Sequence, residues 1–163
     1  MKYPVSFYIN GVQYDFYVTP ATSLLSLLRK DTHMTGAKEG CNQGDCGSCT
    51  VLLDGMAVKA CLVPALTIAG RHVITVEGLA VNGKLNPLQQ AFYEMGAPQC
   101  GYCTPGFLMA AQGLLNKNPK AGHEEIVEAI SGNLCRCTGY YKYIQAIEAV
   151  VAGKFAKEEV DDG

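Results

Sequence analysis

The chain has 163 residues, 48% of them apolar and 17% charged, and a net charge of −2. This size and balance suit one ordinary soluble globular domain or two small ones, and exclude an intrinsically disordered chain. The apolar runs are too short to span a bilayer, and a nucleic-acid binder would need a basic face that this charge does not supply.

The start, Met1-Lys2-Tyr3-Pro4, lacks an apolar run and a cleavage site. No secretory signal is expected, and the expected location is the cytoplasm. From there Val5, Phe7 and Ile9 alternate with Ser6, Tyr8 and Asn10, and a second alternating run takes Val12, Tyr14, Phe16 and Val18. Asn10-Gly11 between them is a hairpin signal. Residues 23–29 read as a short helix after Thr22. Thr50–Leu53, Asp54-Gly55 and Ala57–Ala60 read as a second hairpin, and Val73–Val76 as a last strand. The N-terminal half is thus a small α+β sheet over 1–78.

Residues 79–87 read as a linker broken by Asn, Gly and Pro. Beyond it the period changes. Leu88, Ala91, Phe92 and Met95 fall at helical spacing, as do Phe107, Ala110, Ala111 and Leu114. Ile126, Ala129 and Ile130 repeat it, then Tyr140, Ile144, Ile147 and Val151. Four amphipathic helices are predicted over 88–153. Thr104-Pro105 reads as an N-cap followed by proline, and Asn118-Pro119 as a helix end. The charged residues 154–163 read as a frayed tail.

Eight cysteines carry the chemistry. Cys41, Cys46, Cys49 and Cys61 read C-x4-C-x2-C-x11-C, and Cys100, Cys103, Cys135 and Cys137 read C-x2-C-x31-C-x-C. Disulfides fit the even count but need an oxidising compartment. Zinc takes four thiolates from paired short knuckles, which C-x4-C-x2-C is not. C-x4-C-x2-C with a distant fourth cysteine is the plant-type [2Fe–2S] spacing, and this reading leads. Four glycines within residues 36–49 let that loop turn its N–H groups toward cluster sulfurs. In an up-down bundle the first and third connections share one end. Cys100 and Cys103 lie on the first and Cys135 and Cys137 on the third, so the second set also converges. Each half is small enough that a four-thiolate cluster would act as its staple, and the metal-free chain is expected to be loosely folded.

Three stretches carry a family resemblance. They are Glu39-Gly-Cys41-Asn-Gln-Gly-Asp-Cys46-Gly-Ser-Cys49-Thr, Gln99-Cys100-Gly-Tyr-Cys103-Thr-Pro-Gly106 and Gly132-Asn-Leu-Cys135-Arg-Cys137-Thr-Gly-Tyr140. In this order they resemble the small iron–sulfur subunit of the xanthine oxidase family of molybdenum hydroxylases. That family includes xanthine dehydrogenases, aldehyde oxidoreductases, carbon monoxide dehydrogenase and 4-hydroxybenzoyl-CoA reductase. The resemblance implies a β-grasp, plant-ferredoxin-like domain followed by a four-helix bundle. It implies that Cys41, Cys46, Cys49 and Cys61 ligate the [2Fe–2S] cluster facing a flavin. It likewise implies that Cys100, Cys103, Cys135 and Cys137 ligate the one next to a molybdenum cofactor. Gln99 is then expected to hydrogen-bond the molybdopterin, and Cys137 to lie against it as the exit point for electrons. The chain has no G-x-G-x-x-G fingerprint and no thiols to spare. Molybdopterin is therefore expected on a large partner subunit and FAD on a medium one, in a heterotrimer or a dimer of heterotrimers. No substrate-binding catalytic site is expected on this chain itself. The rival readings are a free-standing two-cluster electron carrier and a zinc-stapled interaction module.

His33, His72 and His123 have no partner at metal spacing and read as ordinary surface residues. Asp45 reads as a turn carboxylate or a cluster neighbour, and Arg136 as pointing away from the cluster. Tyr140, Tyr141 and Tyr143 read as core or subunit contacts.

Overall fold

The structure is a computed structural model and describes residues 1–155. β1 (Tyr3–Ile9) and β2 (Val12–Val18) form an antiparallel hairpin, with Tyr3 opposite Val18 and Ile9 opposite Val12. Asn10 and Gly11 close it at φ of 50° and 83°, the left-handed values that a two-residue type I′ turn needs. Asp54 and Gly55 use the same device, at 49° and 82°, between β3 (Thr50–Leu53) and β4 (Met56–Lys59). The ladder stops at Lys59, one residue earlier than expected, because Ala60–Leu62 coil into a 3₁₀ turn that carries Cys61. β5 (His72–Ile74) completes a five-stranded mixed sheet in the order β2-β1-β5-β3-β4, with β1 and β5 parallel. It ends at Ile74, not Val76. Thr75 is taken by Asn10, whose Oδ1 accepts from the Thr75 N–H at 2.9 Å and whose Nδ2 donates to its hydroxyl at 3.0 Å. Ser23 caps α1 (Leu24–Lys30), its Oγ accepting from the Ser26 N–H at 3.2 Å.

One sheet face packs Val5, Phe7, Ile9, Val51, Leu53 and Val73 against the leucines of α1. The opposite face turns Leu52 into the core of the helices. All four residues of β3 are buried, as befits a strand covered on both sides.

The second half holds α2 (Pro87–Glu94), α3 (Thr104–Lys117), α4 (His123–Ile130) and α5 (Tyr141–Val151). Between the halves Leu79 packs into the helical core, and Val81 and Lys84 exchange backbone hydrogen bonds at 3.1 and 3.0 Å. Asn86 and Gln89 form a reciprocal capping box on α2. On α3 the N-cap is Cys103, not Thr104, because the Thr104 hydroxyl is drawn to the Tyr143 hydroxyl at 2.9 Å. Phe92, Phe107 and Tyr143 centre the helical core, with Phe107 and Tyr143 stacked at 4.4 Å. Lys154 donates its N–H to the Ala149 carbonyl at 3.0 Å, and Phe155 packs against the helices. The rest of the tail read as frayed, 156–163, lies outside the described residues.

Candidate metal centres

The first candidate centre is built on the loop between α1 and β3. Arg29 braces its entrance, donating through Nη1 to the carbonyls of Thr35 at 3.0 Å and Ala37 at 2.9 Å. Inside the loop, backbone N–H groups turn toward sulfur. Cys41 Sγ accepts from Gln43 at 3.5 Å and from Asp45 and Cys46 at 3.3 Å each, while Cys46 Sγ accepts from the Cys41 N–H at 3.4 Å. The N–H groups of Cys46 and then Gln43 lower the Cys41 thiol to about 6. Cys49, at the end of the loop, is buried and paired with Cys61 from the 3₁₀ turn, and burial pushes its thiol up to about 11. Asp45 is exposed and accepts from the Gln43 side chain at 2.8 Å, a turn contact.

The second centre uses the α2–α3 and α4–α5 connections. The topology does bring them together. Cys137 Sγ lies 3.7 Å from Cys100 Sγ, and both residues are exposed. Cys103 is buried and hydrogen-bonded to Cys135, and burial raises its thiol to about 11. Cys135 Sγ also accepts from the Thr138 hydroxyl at 3.1 Å. Gln99 is exposed in the bend just ahead of Cys100. Arg136 is exposed between the two cysteines.

Among the described residues no three metal-ligating side chains stand close enough to share one ion. The sulfurs come in pairs instead: Cys41 with Cys46, Cys49 with Cys61, Cys100 with Cys137, Cys103 with Cys135. Pairs suit a two-iron cluster, which takes two thiolates on each iron. The raised thiols of Cys49 and Cys103 would have to give up their protons on metal binding. The residues present therefore fit two [2Fe–2S] groups.

Several positioning residues escaped the motif reading. The Tyr143 hydroxyl reaches Cys103 Sγ at 3.7 Å, and the Tyr140 hydroxyl accepts from the Cys135 N–H at 3.1 Å. Tyr140 takes φ of 68°, which turns the chain from the cysteine loop into α5. Tyr141 is exposed. Asn133 is buried and donates to the carbonyl of Gly47 at 2.9 Å, and Tyr102 donates its hydroxyl to the carbonyl of Glu39 at 2.8 Å. Tyr102, Asn133 and Tyr140 lie within the motif stretches, but residue type alone does not say which group each of them contacts. The histidines stand apart from both centres: His72 stacks on Tyr8 at 4.4 Å, His123 pairs with Glu148 at 2.6 Å, and His33 is an exposed turn residue at φ of 57°.

The two centres meet. A Cβ on Gly106, in the first turn of α3, would stand 2.5 Å from the Gly47 carbonyl. Only a glycine allows this approach of α3 to the first cysteine loop.

Comparison with known proteins finds two cluster-binding family models along the chain. A 2Fe-2S iron-sulfur cluster binding domain matches residues 7–71, and a [2Fe-2S] binding domain matches residues 75–148. The nicotinate dehydrogenase small FeS subunit of Eubacterium barkeri is 47% identical over 92% of this chain and 96% of its own. The xanthine dehydrogenase iron-sulfur-binding subunit of Escherichia coli O157:H7 is 43% identical over 85% of this chain and 88% of its own. A chain of quinoline 2-oxidoreductase from Pseudomonas putida 86 superposes with a TM-score of 0.89 at 45% identity, covering 98% of this chain and 99% of that one. The aldehyde oxidoreductase of Desulfovibrio gigas also gives 0.89, at 36% identity over 96% of this chain, which spans only 18% of that longer polypeptide. The chain carries two [2Fe–2S]-binding domains, a ferredoxin-like one and a helical one, and belongs to the small iron–sulfur subunits of the xanthine oxidase family of molybdenum-dependent oxidoreductases.

Proposed function

We propose that this subunit relays electrons between a molybdopterin site on a large partner subunit and FAD on a medium one. In this reading the first half is a β-grasp domain whose Cys41, Cys46, Cys49 and Cys61 hold the cluster facing the flavin. The second half is a four-helix bundle whose Cys100, Cys103, Cys135 and Cys137 hold the cluster beside the molybdenum cofactor. When bound, each cluster supplies one-electron storage. The observation that carries the reading is that the two cysteine loops touch through backbone, the Leu134 N–H donating to the Cys46 carbonyl at 2.9 Å.

The chain's own residues divide the work. N–H groups around Cys41 steady a thiolate, and the hydroxyls of Thr138 and Tyr143 face the sulfurs of Cys135 and Cys103. Cys100 and Cys137 open the second centre to solvent with Gln99 beside them, where a molybdopterin on the large subunit would dock. Gln99 offers an amide to its polar edge. We assign the assembly as a heterotrimer or a dimer of heterotrimers, located in the cytoplasm. Among the described residues no helix is long and apolar enough to cross a membrane.

The test is anaerobic purification with co-eluting partners, followed by metal analysis and electron paramagnetic resonance. About four irons per chain, as two [2Fe–2S] clusters require, with molybdenum and two distinct reduced signals support the reading. Iron without molybdenum or partners favours a free carrier, and zinc without iron refutes both. Gln99→Ala should keep both clusters while slowing turnover. Unchanged turnover at full molybdenum loading would remove Gln99 from the pterin site.

A further inference from the structure

Lys59 is the last residue of β4, opposite Thr50 and two positions before Cys61. Its side chain is partly buried, and its Nζ donates to the carbonyl of Gly44 at 2.5 Å. Gly44 lies inside the Cys41–Cys46 turn at φ of 93°, with Leu62 against its other side. The same ammonium lies 3.6 Å from where a Cβ on Gly132 would stand, at the start of the loop carrying Cys135 and Cys137. One cation thus stands between the two cysteine loops. Among the described residues the ion pairs are Arg71 with Asp54 and His123 with Glu148, so no carboxylate pairs directly with Lys59.

We propose that Lys59 is a positioning residue that sets the reduction potential of the first cluster. The proposal rests on the reading that Cys41, Cys46, Cys49 and Cys61 hold a [2Fe–2S] group. Lys59 acts in two ways. By drawing on the Gly44 carbonyl it holds the turn whose N–H groups face Cys41 Sγ. By its charge it favours the reduced state, because a four-thiolate cluster is anionic and gains one more negative charge on taking an electron. The first loop receives its hydrogen bond and the second only its proximity, so the first cluster feels it more.

The experiment is a redox titration of the assembled complex followed by electron paramagnetic resonance, with wild type, Lys59→Gln and Lys59→Arg. Glutamine keeps a donor without the charge, and arginine keeps the charge. At the potential that half-reduces the wild-type first cluster, Lys59→Gln should lower its reduced-to-oxidised ratio on the order of tenfold. The second cluster should move less, and Lys59→Arg should restore most of the shift. Should Lys59→Gln fail to load iron, Lys59→Met keeps the apolar stem and reads the same charge effect. A charge-removing variant with full iron that follows the wild-type curve overturns the proposal, as does an arginine variant that titrates like glutamine. Wild-type complex without iron would instead overturn the cluster reading itself, and the proposal with it.

Discussion

The backbone N–H of Leu134 donates to the carbonyl of Cys46 at 2.9 Å, across the boundary between the sheet half and the helical half. Next to it the amide of Asn133, only 4% exposed, donates to the Gly47 carbonyl at 2.9 Å and to the Thr50 hydroxyl at 3.4 Å. These contacts tie together two loops that are distant in sequence. Asn133→Ala would remove one of three donors to the Gly47 carbonyl, which keeps the Thr50 N–H at 3.1 Å and the Thr50 hydroxyl at 2.6 Å, so the cost is that of one hydrogen bond, about 0.5–1.5 kcal/mol. Denaturant unfolding of the loaded chain should show that loss, with faster amide exchange in both cysteine loops.

Gly106 reports on the same contact by sterics. A methyl group there would meet the Gly47 carbonyl at 2.5 Å, the Asn133 amide at 2.9 Å and the Ser48 Cα at 3.2 Å; two of these are backbone, and the amide is hydrogen-bonded to that carbonyl. Gly106→Ala should therefore push α3 away from the first loop and destabilise the chain by about 1–3 kcal/mol. The melting temperature should fall, and the magnetic coupling between the two reduced clusters should weaken. A fully wild-type spectrum and melting curve would show that the loops tolerate separation.

Tyr143 separates packing from hydrogen bonding. Its ring is fully buried against Phe92 and Phe107, while its hydroxyl meets Thr104 and the sulfur of Cys103. Tyr143→Phe keeps the ring and removes the hydroxyl, costing about 1 kcal/mol. A donor to sulfur stabilises the reduced cluster, so the potential of the second cluster should fall while the first stays put. An equal shift in both would mean that the substitution acts through the fold.

Cys46→Ser tests the partition into two sets of four. It removes one sulfur of the Cys41–Cys46 pair and touches no sulfur of the second set. The first reduced signal should vanish or change its line shape while the second persists. Loss of both from a folded chain would dissolve the partition.

Removal of the metal tests the staple argument. Cys49 and Cys103 are buried thiols raised to about 11, and the loop at 36–49 has little apolar packing of its own beyond Ala37 and Cys49. Anaerobic chelation should lower the melting temperature and expose the amides of 36–49 and 131–140. The sheet core around Phe7 and Leu28 should exchange last. Full protection in metal-free protein would contradict this.

Periodicity located most elements because each half solvates one side of its strands or helices. Val5, Phe7 and Ile9 point into one core, and the exposed partners Ser6 and Pro4 leave the alternation visible. Asn10-Gly11 and Asp54-Gly55 announced their turns because few residue pairs accept two successive left-handed conformations. Ends were less legible. Thr104 reads as a cap by residue type, yet Tyr143 claims its hydroxyl from a helix almost forty residues away. β5 stops early because a side chain in another hairpin takes the place of the next ladder bond.

What the sequence by itself determined is the chemistry: eight thiols in two sets at spacings that local backbone can wrap around iron, and a change of period between the halves that carry them. Those features are local, set by a few residues and their neighbours. Which sulfur lies beside which, and that Asn133, Tyr143 and Lys59 reach the cysteine loops, only the tertiary structure decided. Hydrogen bonds spanning fifteen to eighty-six positions depend on how sheet and helices pack. No period or short motif records that packing, because its free energy comes from burying the two cores together.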